Sequence, residues 1–229
     1  MVFDSKINQE DLKKLHLKAL PEITKDAFLK CIEIPLFAQN KWYLAGGTAL
    51  ALQVGHRSSV DLDFFTPEKD FNEKSIAEEL STFGNWETTF INKGTVYGKI
   101  DGAKISLISY PFFQPSEPLL KIGAISIMSS KDIGAMKIVA ISQRGKKRDF
   151  FDLYWIAKNI QPLSKSIEIM QKHYSVNQNE GHILKSLTYF EDAEADSDPK
   201  IYFKASWKEV KDFFKKEVKI MIKKGLELK

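Results

Sequence analysis

The first half of the chain alternates short β-prone runs with segments of helical periodicity. Apolar residues recur at helical spacing over 8–38, with a break at Pro21, and again over 71–83. Five runs rich in β-branched and aromatic residues predict strands, at 42–45, 60–65, 86–91, 95–100 and 103–110. Asp101-Gly102 has the composition of a tight hairpin turn between the last two strands. This half therefore predicts a small mixed sheet with helices on one face.

The second half of the chain has helical periodicity almost throughout. Apolar positions predict a helix that begins at Ser130 and ends near Gly145, followed by a second helix over 147–158. The sequence Ser206-x-x-Glu209 is a capping box, which predicts the start of a last helix.

The change from mixed to helical periodicity places a domain boundary near residue 129. We expect an α+β fold, with N-terminal helices and the sheet core over 1–128 and a mainly helical region over 129–229. Within the second region, a third helix is expected after Pro162. Five acidic residues over 191–198 predict a solvated loop.

Composition excludes several classes of protein. The chain has one cysteine, Cys31, so it has neither an internal disulfide nor a cysteine-rich zinc site, and we expect it to reside in a reducing cytoplasm. No apolar run approaches the roughly 18 residues that a membrane helix needs, so we expect no membrane association. The 34 Lys and Arg residues exceed the 30 Asp and Glu residues only slightly, for a net charge of +4.

The positive charge is concentrated at the C-terminal end. Residues 200–229 contain ten lysines and four acids, a net of +6, so the remaining 199 residues carry 4 − 6 = −2. Such a segment could contact RNA phosphates, or it could be the solvated face of a helix.

Two carboxylates on one predicted strand form a candidate metal site. Asp61 and Asp63 are two residues apart, so both side chains lie on the same face of the strand. Adjacent carboxylates repel unless a cation lies between them, and their hard oxygen atoms suit Mg²⁺ or Mn²⁺. Because Mg²⁺ also binds substrate phosphates, this pair is the candidate catalytic centre.

A phosphate cradle is predicted shortly before this pair (61 − 47 = 14 residues). Gly46-Gly47-Thr48 follows a strand and precedes the helical run 49–53, so backbone N–H groups and a helix N-terminus can face an anion. Thr48 could cap this helix or contact a phosphate oxygen. Arg57 could contact a phosphate or a base, or form an ion pair within its loop. Together these residues predict a site for a nucleoside triphosphate (NTP) with Mg²⁺.

Two segments resemble motifs of a known enzyme family. The stretch LAGGTALALQVGHRSSVDLDFF, residues 44–65, resembles the first motif of polymerase-β-like nucleotidyltransferases, a Gly-Gly or Gly-Ser turn followed by Asp-x-Asp. Its GGT…HRxSxDLDFF form, with DIGAMK at 132–137 and RGKKRDFFDLY at 144–154, resembles the AbiEii/AbiGii nucleotidyltransferase toxins. The resemblance implies a polymerase-β-like core, an NTP substrate, an RNA acceptor such as the tRNA 3′ end, and a cognate antitoxin.

The stretches 132–137 and 144–154, which together form the second motif, contain a further set of candidate residues. Lys137 and Arg144 are seven residues apart and share a helix face, so they could contact the β- and γ-phosphates. Asp149 and Asp152 could add to the metal site, orient Lys137 or activate the acceptor hydroxyl. Alternatively, Lys137 is only a solvated residue of its helix, and Asp152 forms a surface pair with Arg148.

One carboxylate of the wider superfamily pattern is missing. Polymerase-β-like enzymes generally have a third acid on a later strand, whereas the run 103–110 has none and Asp101 falls in the predicted turn. One metal ion, with Lys137 as compensating charge, is therefore an alternative to a two-metal mechanism.

We expect a nucleotidyltransferase that moves a nucleotide from an NTP to an acceptor hydroxyl, with RNA as the acceptor. One alternative is a catalytically degenerate module that binds nucleotide or RNA. Another is a nucleic-acid binder that depends on the basic C-terminal segment.

Overall fold

The computed structural model describes residues 9–39 and 42–227. The chain divides into two compact units, residues 1–129 and residues 130–229, and each unit has its own buried apolar residues. The start of the first predicted helix, Asn8, lies outside the described residues. Within the described parts of the chain, no helix has the length and hydropathy that crossing a bilayer demands.

The described part of the first unit contains a seven-stranded mixed sheet. Its strands are β1 (Tyr43–Ala45), β2 (Leu62–Thr66), β3 (Trp86–Asn92), β4 (Thr95–Ile100), β5 (Ala103–Ser109), β6 (Leu120–Ile122) and β7 (Ile125–Ile127). They lie in the order β3-β4-β5-β2-β1-β7-β6. The central strand β2 is antiparallel to β1 on one side and parallel to β5 on the other.

One face of this sheet is buried and the other is partly open. Along β2, Leu62, Phe64 and Thr66 are buried, while Asp63 and Phe65 between them are partly exposed. The ring of Phe37 stacks on Phe64 with 4.1 Å between centroids. This two-residue alternation puts Asp63 on the face away from the core, whereas Asp61 immediately precedes β2 and is partly exposed.

The helices of the first unit precede and follow the central strands. They are α1 (Gln9–Lys13), α2 (Glu22–Cys31), α3 (Gly46–Val54) and α4 (Glu73–Ser81), with 3₁₀ turns at Leu17–Ala19 and Pro35–Ala38. The predicted break at Pro21 is confirmed, because this proline immediately precedes α2. Cys31 is fully buried at the end of α2, and burial raises the pKa of its thiol.

The five predicted strands are all present, and the sheet also contains two that the pattern did not predict. β6 and β7 have only three residues each, too few for a recognisable alternation. The predicted hairpin turn is confirmed, because Asp101 and Gly102 have φ angles of 49° and 88°, as a type I′ turn requires.

The described part of the second unit is helical and packs around aromatic side chains. Its helices are α5 (Ser130–Arg144), α6 (Lys147–Asn159), α7 (Leu163–His173), α8 (Glu180–Ser186), α9 (Glu191–Glu194) and α10 (Trp207–Glu227). The buried ring of Phe150 contacts Phe190, Trp207 and Phe214, with centroids 5.2–5.7 Å apart. The predicted capping box is confirmed: the Ser206 N–H donates to Glu209 Oε2 at 2.7 Å, and the Glu209 N–H donates to Ser206 Oγ at 3.2 Å.

The prediction of a solvated loop over 191–198 is wrong in part. The segment contains α9, and Asp196 accepts a hydrogen bond from the Lys147 backbone N–H at 2.9 Å. Lys147 Nζ also lies 3.1 Å from Asp198 Oδ1, and Lys146 Nζ lies 3.1 Å from Asp196 Oδ1. Lysines at the start of α6 therefore neutralise two of these acids. The local sequence does not show this, because within 191–198 the acids have no basic neighbour.

Candidate active site

The Gly46-Gly47 turn lies beside the Asp63 carboxylate. β1 ends at Ala45, and the register of the β1–β2 ladder pairs Ala45 with Asp63. Gly46 follows with a φ of +71°, a conformation that favours glycine. A Cβ atom on Gly46 would lie 3.4 Å from Asp63 Oδ2, so this carboxylate is in contact range of the turn.

The guanidinium of Arg57 packs against the same turn. Arg57 is only 4% exposed, and its Nη1 donates a hydrogen bond to the Ser58 carbonyl oxygen at 2.8 Å. A Cβ atom on Gly47 would lie 2.1 Å from Arg57 Nη2, so only glycine leaves room for the guanidinium in its present place. A fixed positive charge thus lies beside the backbone predicted to hold phosphates.

Thr48 connects the start of α3 to the loop before β2. Its hydroxyl donates to the Asp61 carbonyl oxygen and lies 2.9 Å from Ser59 Oγ. The N-cap of α3 is Ala45, and among the described residues no side chain caps this helix. Capping, one of the two roles considered for Thr48, is therefore not observed, and Thr48 is only 1% exposed. The structure gives this hydroxyl a positioning role instead, because it fixes the backbone of a candidate metal ligand.

Asp61 and Asp63 are both partly exposed and provide oxygen ligands of the type that Mg²⁺ prefers. Across residues 9–39 and 42–227, no cluster of three or more His, Cys, Asp or Glu is arranged to hold a metal ion. The position beside Asp63 on β5 is Ser106, and Asp101 instead contacts Lys30 and Asn85. Two carboxylates still fit Mg²⁺, which usually keeps several waters and binds through one or two carboxylates plus substrate phosphates.

The second unit contains a buried ion cluster formed by α5 and α6. Lys137 Nζ lies 2.6 Å from Asp149 Oδ1 and 2.6 Å from Asp152 Oδ2, and the side chains of both acids are fully buried. Arg144 Nε donates to Asp149 Oδ2 at 3.0 Å, and Arg144 Nη2 donates to Asp149 Oδ1 at 3.3 Å. The structure therefore brings together all four residues predicted in this segment.

The charges of this cluster balance. Burial disfavours the ionised form of Asp149, but the positive charges of Lys137 and Arg144 outweigh it and hold the pKa of this carboxyl below its usual value. Lys137 is 5% exposed, so it is not the solvated surface residue of the alternative interpretation. Its ammonium contacts two carboxylates, whereas the Arg144 side chain is 49% exposed.

Two site residues were not among the predicted ones. Ser59 contacts the Thr48 hydroxyl, and Ser106 is the register neighbour of Asp63. The position of Ser59 two residues before Asp61 could have drawn attention to it. Ser106 becomes recognisable only through the strand register, which the sequence does not specify.

The family model that matches this chain is that of the family which both sequence motifs resemble. The model of the AbiEii family, described as a nucleotidyl transferase AbiEii toxin of a type IV toxin–antitoxin system, matches residues 28–219. The chain belongs to the AbiEii family. This AbiEii protein is accordingly a toxin-family nucleotidyltransferase, and its family implies an NTP substrate and an antitoxin partner.

Relatives of this AbiEii protein extend over most of its length. An uncharacterized protein of Aquifex aeolicus is 38% identical over 208 residues, which is 89% of this chain and 98% of that protein. The crystal structure of a putative nucleotidyltransferase from Helicobacter pylori is similar with a TM-score of 0.52 at 18% identity, covering 91% of this chain and 99% of that one.

A toxin of known class has a similar structure. MenT4, a nucleotidyltransferase toxin of Mycobacterium tuberculosis, gives a TM-score of 0.52 at 12% identity, covering 92% of this chain and 87% of its own. These similarities concern the fold. They confirm the predicted α+β nucleotidyltransferase architecture of the AbiEii protein.

Proposed function

We propose that this AbiEii protein transfers a nucleotide from an NTP to a hydroxyl group of RNA, at a Mg²⁺-dependent site formed by Gly46, Gly47, Asp61 and Asp63. One observation carries the proposal: the register of β1 and β2 pairs Ala45 with Asp63 and so brings a carboxylate against a glycine turn at a helix N-terminus. A phosphate cradle beside a metal ligand is the arrangement that an NTP with its cation requires.

Each residue of this site has a proposed role. The backbone of Gly46 and Gly47 binds phosphate oxygens, and Arg57 adds a fixed positive charge beside them. Asp61 and Asp63 would hold Mg²⁺ or Mn²⁺, which when bound neutralises charge on the triphosphate. The acceptor oxygen forms a bond to the α-phosphorus as the bond to the bridging oxygen breaks. The hydroxyl proton goes to water, and pyrophosphate leaves.

The buried cluster of the second unit has a proposed supporting role in transfer. Lys137 holds Asp149 and Asp152 in one geometry through contacts of 2.6 Å to each, so we assign it the positioning of these carboxylates. Arg144 is the half-exposed cation of the cluster and therefore the one proposed to contact phosphate. The first unit would form the catalytic core, and the second a helical addition.

Family membership supports the proposed biological role. A nucleotidyltransferase toxin needs an essential acceptor, and an RNA 3′ end such as that of tRNA provides a hydroxyl whose modification blocks its use. We therefore propose a tRNA 3′ end as the acceptor and a cognate antitoxin as the partner. A cytoplasmic location is proposed with them, since NTPs and tRNA occur there and the thiol of Cys31 is buried and unpaired.

The proposal is tested by label transfer. Purified protein is incubated with Mg²⁺, total RNA and each of the four α-³²P-labelled NTPs in turn, and the labelled RNA is digested to locate the added nucleotide. We expect one or two of the NTPs to label the 3′ ends of small RNAs. A folded protein that transfers no label from any NTP would contradict the proposal.

A catalytically degenerate module is the second candidate, and Ser106 is the observation that favours it. This serine is the β5 neighbour of Asp63, on the strand where the wider superfamily generally has a third acid. Calorimetry separates the two candidates. A degenerate module binds Mg-NTP, or RNA, with no transfer under any of the four labelling conditions.

A further inference from the structure

The open face of the sheet carries a row of side chains that begins at Asp63. The strand register pairs Asp63 on β2 with Ser106 on β5, Ser106 with Tyr97 on β4, and Tyr97 with Phe90 on β3. Directly paired residues of neighbouring strands point to the same face of a sheet. The row therefore leads from the proposed metal site across three strands, all within the first unit.

The far end of this row is an exposed aromatic pair. The rings of Phe90 and Tyr97 stack with 5.6 Å between centroids and 29° between planes. Phe90 is 47% exposed and Tyr97 is 40% exposed. Along β4 and β5 every second side chain points into the core, and Val96 and Leu107 are fully buried. The core is therefore filled from the other face of the sheet and does not require aromatic residues on the outer face.

Two lysines lie beside the aromatic pair on the same face, both on the side of the β4–β5 turn. Lys99 and Lys104 are register partners on β4 and β5, and neither forms an ion pair with any residue that the structure describes. Glu87 is opposite Lys99 on β3 but makes no ion pair with it. Like charges directly opposite each other weaken a sheet, so the pairing of Lys99 with Lys104 does not itself stabilise the fold. We call Phe90, Tyr97, Lys99 and Lys104 the outer-face platform.

The platform and the phosphate cradle lie on opposite sides of β2. The cradle follows β1, whereas the platform lies on β5, β4 and β3. In-line transfer requires the acceptor to approach the α-phosphate from the side away from the leaving pyrophosphate. With strands about 4.8 Å apart, the backbones of Tyr97 and Phe90 are roughly 10 and 14 Å from Asp63. That span corresponds to about three or four stacked nucleotides at 3.4 Å each.

We infer that the outer-face platform binds the unpaired 3′ segment of the acceptor RNA, with bases stacked on Phe90 and Tyr97 and phosphates beside Lys99 and Lys104. Proteins bind single-stranded nucleic acids by stacking the bases on exposed aromatic rings and by placing cationic side chains beside the phosphates. The inference rests on the proposed function, because it takes the RNA hydroxyl at Asp61 and Asp63 as the reacting group.

Binding is measured first, in the absence of NTP. Fluorescence anisotropy with a labelled unpaired RNA of twelve nucleotides should show that Phe90→Ala and Tyr97→Ala each raise the Kd about tenfold or more. Tyr97→Phe, which keeps the ring, should bind as the wild type does. Phe112→Ala is the matched control, since Phe112 is also an exposed aromatic residue (46%) but lies outside the row.

The lysines provide a second measurement that does not depend on removing a ring. Lys99→Gln and Lys104→Gln should each lower the slope of log Kd against log salt concentration by about 0.7. Lys74→Gln, at an exposed position on α4, should leave the slope unchanged. Unchanged RNA binding in the four platform variants would overturn the inference, as would equal affinity for blunt duplex RNA.

Transfer assays with the same variants separate this inference from the proposed function. The platform variants should raise the KM for RNA and leave the KM for NTP unchanged, and a change confined to the NTP would overturn the inference. If the wild type transfers nucleotide and the variants keep its KM for RNA, the inference fails and the proposed function stands. If the wild type binds unpaired RNA through the platform but never transfers, the proposed function fails and the binding surface stands.

Discussion

Replacing Lys137 by methionine should destabilise the second unit strongly. The lysine ammonium lies 2.6 Å from a carboxylate oxygen of each of Asp149 and Asp152, whose side chains are fully buried. Methionine has a similar length but no charge, so each of the two buried carboxylates loses a contact of 2.6 Å to a positive charge. Removing one partner of a buried ion pair costs about 3–5 kcal/mol, because the loss of attraction in a low-dielectric interior is not offset by hydration.

Urea unfolding followed by far-ultraviolet circular dichroism measures this loss as a change in the free energy of unfolding. Lys165→Met is the matched control, since Lys165 makes an exposed pair with Glu168 at 2.9 Å and such pairs contribute about 0–1 kcal/mol. The double variant Lys137→Met/Asp152→Asn should recover part of the loss by removing one buried charge. A loss below about 1 kcal/mol for Lys137→Met would refute the electrostatic account of this cluster.

Three further predictions concern the glycine turn, the buried acid and the cysteine. Gly47→Ala should displace the Arg57 guanidinium, since the added carbon would lie 2.1 Å from Nη2, and should weaken Mg-NTP binding by calorimetry, whereas Gly181→Ala in α8 should not. Burial and nearby cations act in opposite directions on Asp149, and the cations hold its pKa below the ordinary value of 3.8. The contribution of this carboxylate to stability is therefore complete above pH 3.8 and is lost as the pH falls further. Asp149→Asn should make the urea concentration at the unfolding midpoint depend less on pH in this acidic range. Burial raises the pKa of the Cys31 thiol, so a disulfide reagent should modify it only as fast as the protein unfolds; rapid labelling of the native protein would contradict this.

Much of the fold follows from sequence patterns because its elements are locally determined. The alternation of Leu62, Phe64 and Thr66 with Asp63 and Phe65 defines β2, and the positive φ angles of Asp101 and Gly102 match the turn that their composition predicts. The strands β6 and β7 were missed because three residues carry too little periodicity. Their place beside β1 depends on long-range pairing, which no local pattern encodes.

The candidate site is predictable in its residue types but not in its contacts. The sequence spacing predicts that Asp61 and Asp63 lie on one strand face, and the structure has Asp63 on β2 with Asp61 immediately before it. It does not reveal that Arg57 packs on Gly47 or that the Thr48 hydroxyl fixes the Asp61 backbone, because both contacts depend on how the loop 55–61 folds over the start of α3. Periodicity likewise puts Lys137 and Arg144 on one helix face. Tertiary packing then surrounds Lys137 with carboxylates.

The central claim is that the glycine turn and the Asp61–Asp63 pair carry nucleotide transfer. Transfer of α-³²P label to RNA, measured for Asp63→Asn and for the control Asp70→Asn, tests it most directly. Asp70 is an exposed acid near the other end of β2, with 70% of its side chain accessible. We predict that Asp63→Asn lowers transfer at least a hundredfold in a folded protein, while Asp70→Asn keeps the wild-type rate. Equal transfer by the wild type and Asp63→Asn would contradict the account.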